Sequence, residues 1–216
     1  MFCWRKNNME GDLQVLHIIP SAFNYFDDVK SYAFGVLNEM NAYDDVSATA
    51  LTLQYGTPTI AEKQAVSAVA PDQEYKGAHP VEEVAKNFSD FDIVHLHAPF
   101  LGAAGHILQW KKEFPKIPLV ITLYRPVVVV DLIAWGIKWY NNYYLPKLFE
   151  VADLVTVFPW SEKMANKITE RNKIDVSAKV RLLFESDSFS QVQIIEKRFK
   201  QEEIVKNLFY LYSNLV

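Results

Sequence analysis

Six short runs of this chain are apolar almost throughout: LQVLHII (13–19), VSATALTL (46–53), DIVHLH (92–97), PLVITLY (118–124), DLVTVF (153–158) and AKVRLLF (178–184). A strand with one wet face alternates polar and apolar residues, whereas a strand covered on both faces need not. Between the runs the apolar period changes. After Asp27 and Asp28, either of which can cap a helix, come Val29, Ala33, Val36, Leu37 and Met40 at helical spacing. Helices are also predicted over 101–114, over 130–151 with an interruption at Pro146, and over 161–171 with Ser161 as cap. Shorter ones are read at 60–70 and at 80–88, the latter opening on a proline. Pro20 and Ser21 are expected to end the first strand. The alternation predicts a single doubly wound, mostly parallel α/β sheet. Residues 201–216 read as a closing amphipathic helix, with Ile204, Val205, Leu208, Leu211, Tyr212 and Leu215 on one face.

The 216 residues show no repeat, low-complexity tract or Gly/Ser linker. The expected organisation is a flexible N-terminus (1–12), one α/β domain (13–185) and a helical segment packing back on it (186–216). Half of the residues are hydrophobic, which supplies a core and argues against disorder. A net charge of −4 with interspersed signs points away from nucleic acid. The lone Cys3 rules out an internal disulfide and a cysteine-based zinc site. The first residues carry no secretory apolar run, and VVVVDLIAWGI (127–137) is far short of the roughly 20 residues that cross a bilayer. A cytoplasmic protein is expected.

In doubly wound sheets ligands lie at the carboxyl ends of the strands. That places the candidate site at Pro20–Asp28, His97–Gly105, Tyr124–Val130 and Pro159–Ser161. His95 and His97 share one face of a strand, about 6–7 Å apart. His95 lies within the strand and reads as a buried, hydrogen-bonded histidine. His97 lies at the strand end, where a donor can meet a polar ligand. A metal needs a third ligand, and no spacing motif ties Asp27, Asp28 or Asp131 to the pair, so no metal is expected. The first loop has no glycine before Gly35, and two acids at a helix start repel an anion. Those acids fit a helix cap or sugar hydroxyls. Arg125, just past a strand, can clamp a phosphate or carboxylate or simply be solvated. Trp135, Trp139, Tyr140, Tyr143 and Tyr144 are too dense to be all core on one helix. Some can line a sugar or lipid groove or lie at a membrane interface. The absence of G-x-S-x-G, Walker and G-x-G-x-x-G loops argues against a hydrolase or nucleotide-binding protein.

The strings LQVLHIIPS, YDDVSATALTL, FDIVHLHAPF, IPLVITLYR and VADLVTVFPWSEKM, in this order, resemble the N-terminal half of glycosyltransferase family 4. The resemblance covers about residues 13–171. It implies one Rossmann-like half of a GT-B fold. It also implies a lineage of retaining, nucleotide-sugar-dependent transferases that typically need no metal. In that family the N-terminal domain binds the acceptor and a second domain binds the nucleotide sugar. The terminal segment RFKQEEIVKNLFYLYSNLV resembles the helix that crosses back onto the N-terminal domain. Three departures stand out. The Gly-Gly loop after the first strand is replaced around Phe26–Asp28. The histidine expected after the P-x-V-x-T strand is Tyr124, a poor base near neutral pH. The donor domain is absent, since only 45 residues follow Arg171.

The resemblance implies an acceptor-binding domain, inactive alone, for a sugar or lipid-linked sugar. His97, Tyr124, Arg125, Asp28 and Ser161 are the expected acceptor contacts. No resident cofactor is implied; a nucleotide sugar enters as co-substrate only if a partner chain supplies the donor domain. A peripheral membrane contact is a further expected partner. The alternative is a non-catalytic interaction or regulatory module of the same descent, binding through an exposed aromatic face of the 130–144 helix.

Overall fold

The computed structural model describes residues 12–21, 27–54, 88–100, 104–124, 136, 138–158, 162–172, 180–182 and 199–216. The apolar runs form strands: β1 (Leu13–Ser21), β2 (Val46–Gln54), β3 (Ile93–Ala98), β4 (Leu119–Leu123), β5 (Leu154–Val157) and β6 (Val180–Leu182). They make one six-stranded sheet in the order β2-β1-β3-β4-β5-β6, parallel at every pairing. Helices α1 (Asp27–Met40), α2 (Ala104–Glu113), α3 (Leu145–Val151), α4 (Glu162–Asn172) and α5 (Phe199–Tyr212) complete the described elements. The expected helix at 60–70 lies outside the described residues, as does the one at 80–88 except for its last residue, Phe88, which begins a single 3₁₀ turn, Phe88–Asp90. Among the described residues no helix is long and apolar enough to cross a membrane.

Each face of the sheet is covered, which is why the strands carry few polar residues. On one face Leu13, Val15, Ile19, Ile93, Val120 and Leu154 pack under α1 and α5. On the other, Leu16, Ile18, Leu96, Ile121 and Val155 pack under α2, α3 and α4. Helix α5 contributes Ile204, Val205, Leu208 and Tyr212, as its periodicity predicts, and Phe209 as well; Leu211 and Leu215 are only partly buried. The order of the strands reverses direction between β1 and β3, the switch point where crevices open in such sheets.

Two prolines behave differently from expectation. The strand β1 runs through Pro20 to Ser21, paired with Leu53 and Gln54. Along β1, Leu13 N–H turns toward the β2 side and the carbonyl of Gln14 toward the β3 side. That alternation aims the nitrogen of Pro20 at β3, whose register with β1 has ended at Ile18. No ladder bond is lost there. Pro146, expected to interrupt a helix, lies inside continuous helical backbone. Residues Tyr140–Tyr144 form a π turn in which Leu145 N–H donates to Tyr140 O, and α3 follows with Pro146 in its first turn. The extra residue of a π turn lets the ring pass.

Three polar clamps brace the frame. Asp92 Oδ2 accepts from Gln14 N–H at 2.9 Å, beside β1 and β3. Asp153 Oδ2 accepts from Leu119 N–H (2.7 Å) and from Lys111 Nζ (2.6 Å), joining β4, β5 and α2. Lys111 Nζ also donates to the carbonyls of Pro115 and Ile117. Asn41, just after α1, holds both backbone groups of Ala48 with its side-chain amide, at 2.7 and 2.9 Å.

Candidate functional site

The strand register puts three histidines together at the switch point. His17 on β1 is opposite His95 on β3, and His97 is two residues further along. All three are fully buried. Their rings stack: His95 and His97 have centroids 4.4 Å apart, and His17 lies 5.0 and 5.1 Å from them. Thr122, Thr156 and Tyr124 continue the polar row across β4 and past its end, and Tyr212 closes it from α5.

The first chain of bonds can run in either direction. Where Thr156 Oγ1 donates to Ile121 O (3.4 Å), it accepts from Thr122 (2.6 Å). Thr122 then accepts from His95 Nε2–H (2.6 Å), which leaves His95 Nδ1 to accept from the Tyr212 hydroxyl (2.5 Å). A neutral His95 satisfies every member. Burial, then the neighbouring His17, pushes the His95 ring well below its ordinary pKa and so favours that neutral form.

The second chain runs from His17 Nδ1 to His97 Nε2 (2.8 Å) and from His97 Nδ1 to the Tyr124 hydroxyl (2.6 Å). It has two self-consistent arrangements of neutral rings. Either Tyr124 donates and every proton points toward His17, or His17 donates and every proton points toward Tyr124. In the first, His17 Nε2 is a donor; in the second, an acceptor. That atom is buried with no hydrogen-bond partner. Burial lowers His17 to about 3, and burial, then His95 and His17, lowers His97. Burial raises the phenols of Tyr124 and Tyr212.

One ring nitrogen from each histidine lies within 4.8 Å of the others, so the trio is a conceivable metal ligand set. The third ligand that the sequence did not offer is His17. Five of the six ring nitrogens, however, already belong to the two chains. The trio contains no carboxylate to offset a cation, and an ion would have to break these bonds in a dry interior. The arrangement is a neutral hydrogen-bond network in which one ring nitrogen, His17 Nε2, is left without a partner.

Of the expected acceptor contacts, the structure brings His97 and Tyr124 together, hydrogen-bonded to each other and interior, with Tyr124 6% exposed. Tyr32 and Phe158 pack on the Tyr124 ring, at 5.4 and 5.0 Å between centroids. Asp28 begins α1. Arg125 and Ser161 lie outside the described residues. His95 is interior and doubly bonded, as its strand position predicts. His17 and Tyr212 were not singled out. His17 sits alone among apolar neighbours in β1, and Tyr212 is recruited across 117 positions of chain, so only the register reveals them.

No family model matches this chain, and no curated protein matches it. Among solved structures it is similar to the GH18 chitinase ChiB from the chitin utilization locus of Flavobacterium johnsoniae. The identity is 14%, the match covers 80% of this chain and 68% of that one, and the TM-score is 0.29. A likeness at that score carries no argument about fold or function.

Proposed function

We propose that the chain is an acceptor-binding domain of glycosyltransferase family 4 type, binding a sugar or lipid-linked sugar at the carboxyl ends of its strands. The observation that carries this reading is the seat of α5. It lies against α1 and the β1/β3 face, and Tyr212 bonds to His95 in the strand that carries the D-x-V-H-x-H string. A terminal helix returning to the acceptor half is what the resemblance implies. Residues 173–198 are all that separates α4 from α5, too short a stretch for a nucleotide-sugar domain. On this reading the donor would come from a partner chain. This chain would supply position and orientation to an acceptor hydroxyl, and the electrostatic stabilisation of the leaving diphosphate would come from the partner.

The interior placement of His97 and Tyr124 favours the alternative, a non-catalytic module of the same descent, because neither side chain offers an unpaired polar atom to a ligand as it stands. A panel of labelled nucleotide sugars and of oligosaccharide and lipid-linked acceptors, read for both binding and hydrolysis, separates the readings. The expected result is retention of an acceptor with no nucleotide-sugar binding or turnover. Nucleotide-sugar binding by the chain alone overturns the split-site proposal, and failure to retain any acceptor leaves the interaction module.

A further inference from the structure

Tyr212 is the last residue of α5 and lies against the polar row. Its ring is fully buried and stands edge-on to His95, with centroids 5.9 Å apart and the hydroxyl 2.5 Å from His95 Nδ1. His95, Thr122 and Thr156 sit in strands that are paired with their neighbours. Tyr212 is tied to them by a side-chain bond and by packing, at a helix end, where local opening costs least.

A neutral imidazole offers one donor and one acceptor, whereas a charged one offers two donors. A charged His95 can donate from Nε2 to Thr122 Oγ1, Thr122 to Thr156 Oγ1, and Thr156 to Ile121 O. That side of the ring stays satisfied. Nδ1 donates as well, so the Tyr212 oxygen must accept and the Tyr212 proton loses its acceptor. The misfit of a charged His95 thus falls on the one partner that does not belong to the sheet. The neighbours give the charge no counterpart. His17 on β1 and His97 on β3 are neutral rings 5.0 and 4.4 Å away. Tyr32 from α1 and Tyr124 beyond β4 are phenols that burial keeps protonated. Among the described side chains of α1 and α5, the charged ones are Lys30, Glu39, Glu202, Glu203 and Lys206, all exposed or half-exposed.

We propose that Tyr212 is an acid-released plug: as the medium acidifies, the last turn of α5 lifts Tyr212 off His95, water enters, and His95 takes a proton while the sheet stays paired. Exposing one large ring and breaking its bond together disfavour opening by roughly a hundred- to a thousandfold. Each pH unit below about 6.5 returns about tenfold for one histidine that becomes wet, so the two terms balance at about pH 4. The plug is closed above the ordinary imidazole range and opens as pH falls, because only the open form binds the proton. It operates whether or not the chain binds an acceptor.

The test is NMR of the full chain from about pH 7.5 to about 3.5, following amide-exchange protection and the ring signals of His95. Tyr212 and Ser213 report on the last turn, whose Ser213 N–H donates to Phe209 O at 2.9 Å, and Ile107 and Trp110 in α2 report on the whole fold. Protection at Tyr212 and Ser213 should lie below that of α2 throughout and fall about tenfold per pH unit below about 6.5. His95 should titrate while α2 keeps its folded signals. His95→Gln, which still donates and accepts but takes no proton, should remove the pH dependence of the last turn. Where that variant does not fold, Tyr212→Phe keeps the ring and loses the bond, and it should raise the His95 titration by about one pH unit. Last-turn protection that ignores pH, or that matches α2 at every pH, overturns the proposal. So does an unchanged pH dependence in His95→Gln or an unmoved His95 titration in Tyr212→Phe.

Discussion

Two tyrosines in the same apolar layer should respond oppositely to loss of their hydroxyls. The Tyr212 hydroxyl and His95 Nδ1 share a hydrogen bond, and both groups are buried. Tyr212→Phe leaves that nitrogen unsatisfied and should cost about 1–3 kcal/mol in urea unfolding. The hydroxyl of Tyr32 is buried without a hydrogen-bond partner. Tyr32→Phe removes a desolvated group and should be neutral or stabilising by up to about 1 kcal/mol. Equal losses in the two variants would show that the network does not hold α5. At this scale the sequence was partly legible. The acids in the strings DIVHLH and DLVTVF were not singled out, and the structure gives both a bracing role, Asp92 on Gln14 and Asp153 on Leu119 and Lys111. His17 was invisible as a member of a cluster, because nothing local in LQVLHII states which strand lies beside it.

Among the described elements, Lys111 is a charge that joins three pieces of chain. Its ammonium ties the end of α2 to the turn before β4 and to Asp153 before β5, with three acceptors. Lys111→Met should cost about 1–3 kcal/mol, since two carbonyls lose their donor while the half-exposed Asp153 turns to water. Hydrogen exchange should quicken first at Leu119, whose amide shares the Asp153 oxygen. An unchanged urea midpoint would show that solvent replaces the clamp at no cost. Strands were the legible elements, because cover on both faces writes an uninterrupted apolar run. The two prolines were not. Whether Pro20 breaks a strand depends on which neighbour its nitrogen faces, and whether Pro146 breaks a helix depends on a π turn that no residue type announces.

For the molecule as a whole, the three buried histidines set a pH limit. Each is neutral when folded, with its pKa lowered first by burial, while the unfolded chain titrates near 6.5. The unfolded state therefore takes up protons that the folded state refuses. Stability is full above about pH 6.5 and declines as pH falls below it, down to about 3, where His17 accepts its proton in the fold. As pH falls below about 6.5, stability should decline, each histidine that stays neutral in the fold contributing a slope of about 1.4 kcal/mol per pH unit. A slope near zero in urea midpoints across that interval would mean that the cluster opens to water without unfolding. The class of fold was readable from alternation alone, since six covered strands admit few arrangements. The placement of a polar network inside it was not, because a strand histidine looks the same whether it meets solvent, a ligand or another histidine. One pair of bonds outside that network bears on how copies of the chain meet. Parallel strands turn alternate residues outward, and on β2 the amide and carbonyl of Ala48 point away from β1 into the side chain of Asn41. A foreign strand seeking to extend the sheet there would find its first docking groups already taken. The residue that finishes a turn thus also discourages the chain from templating its own polymer.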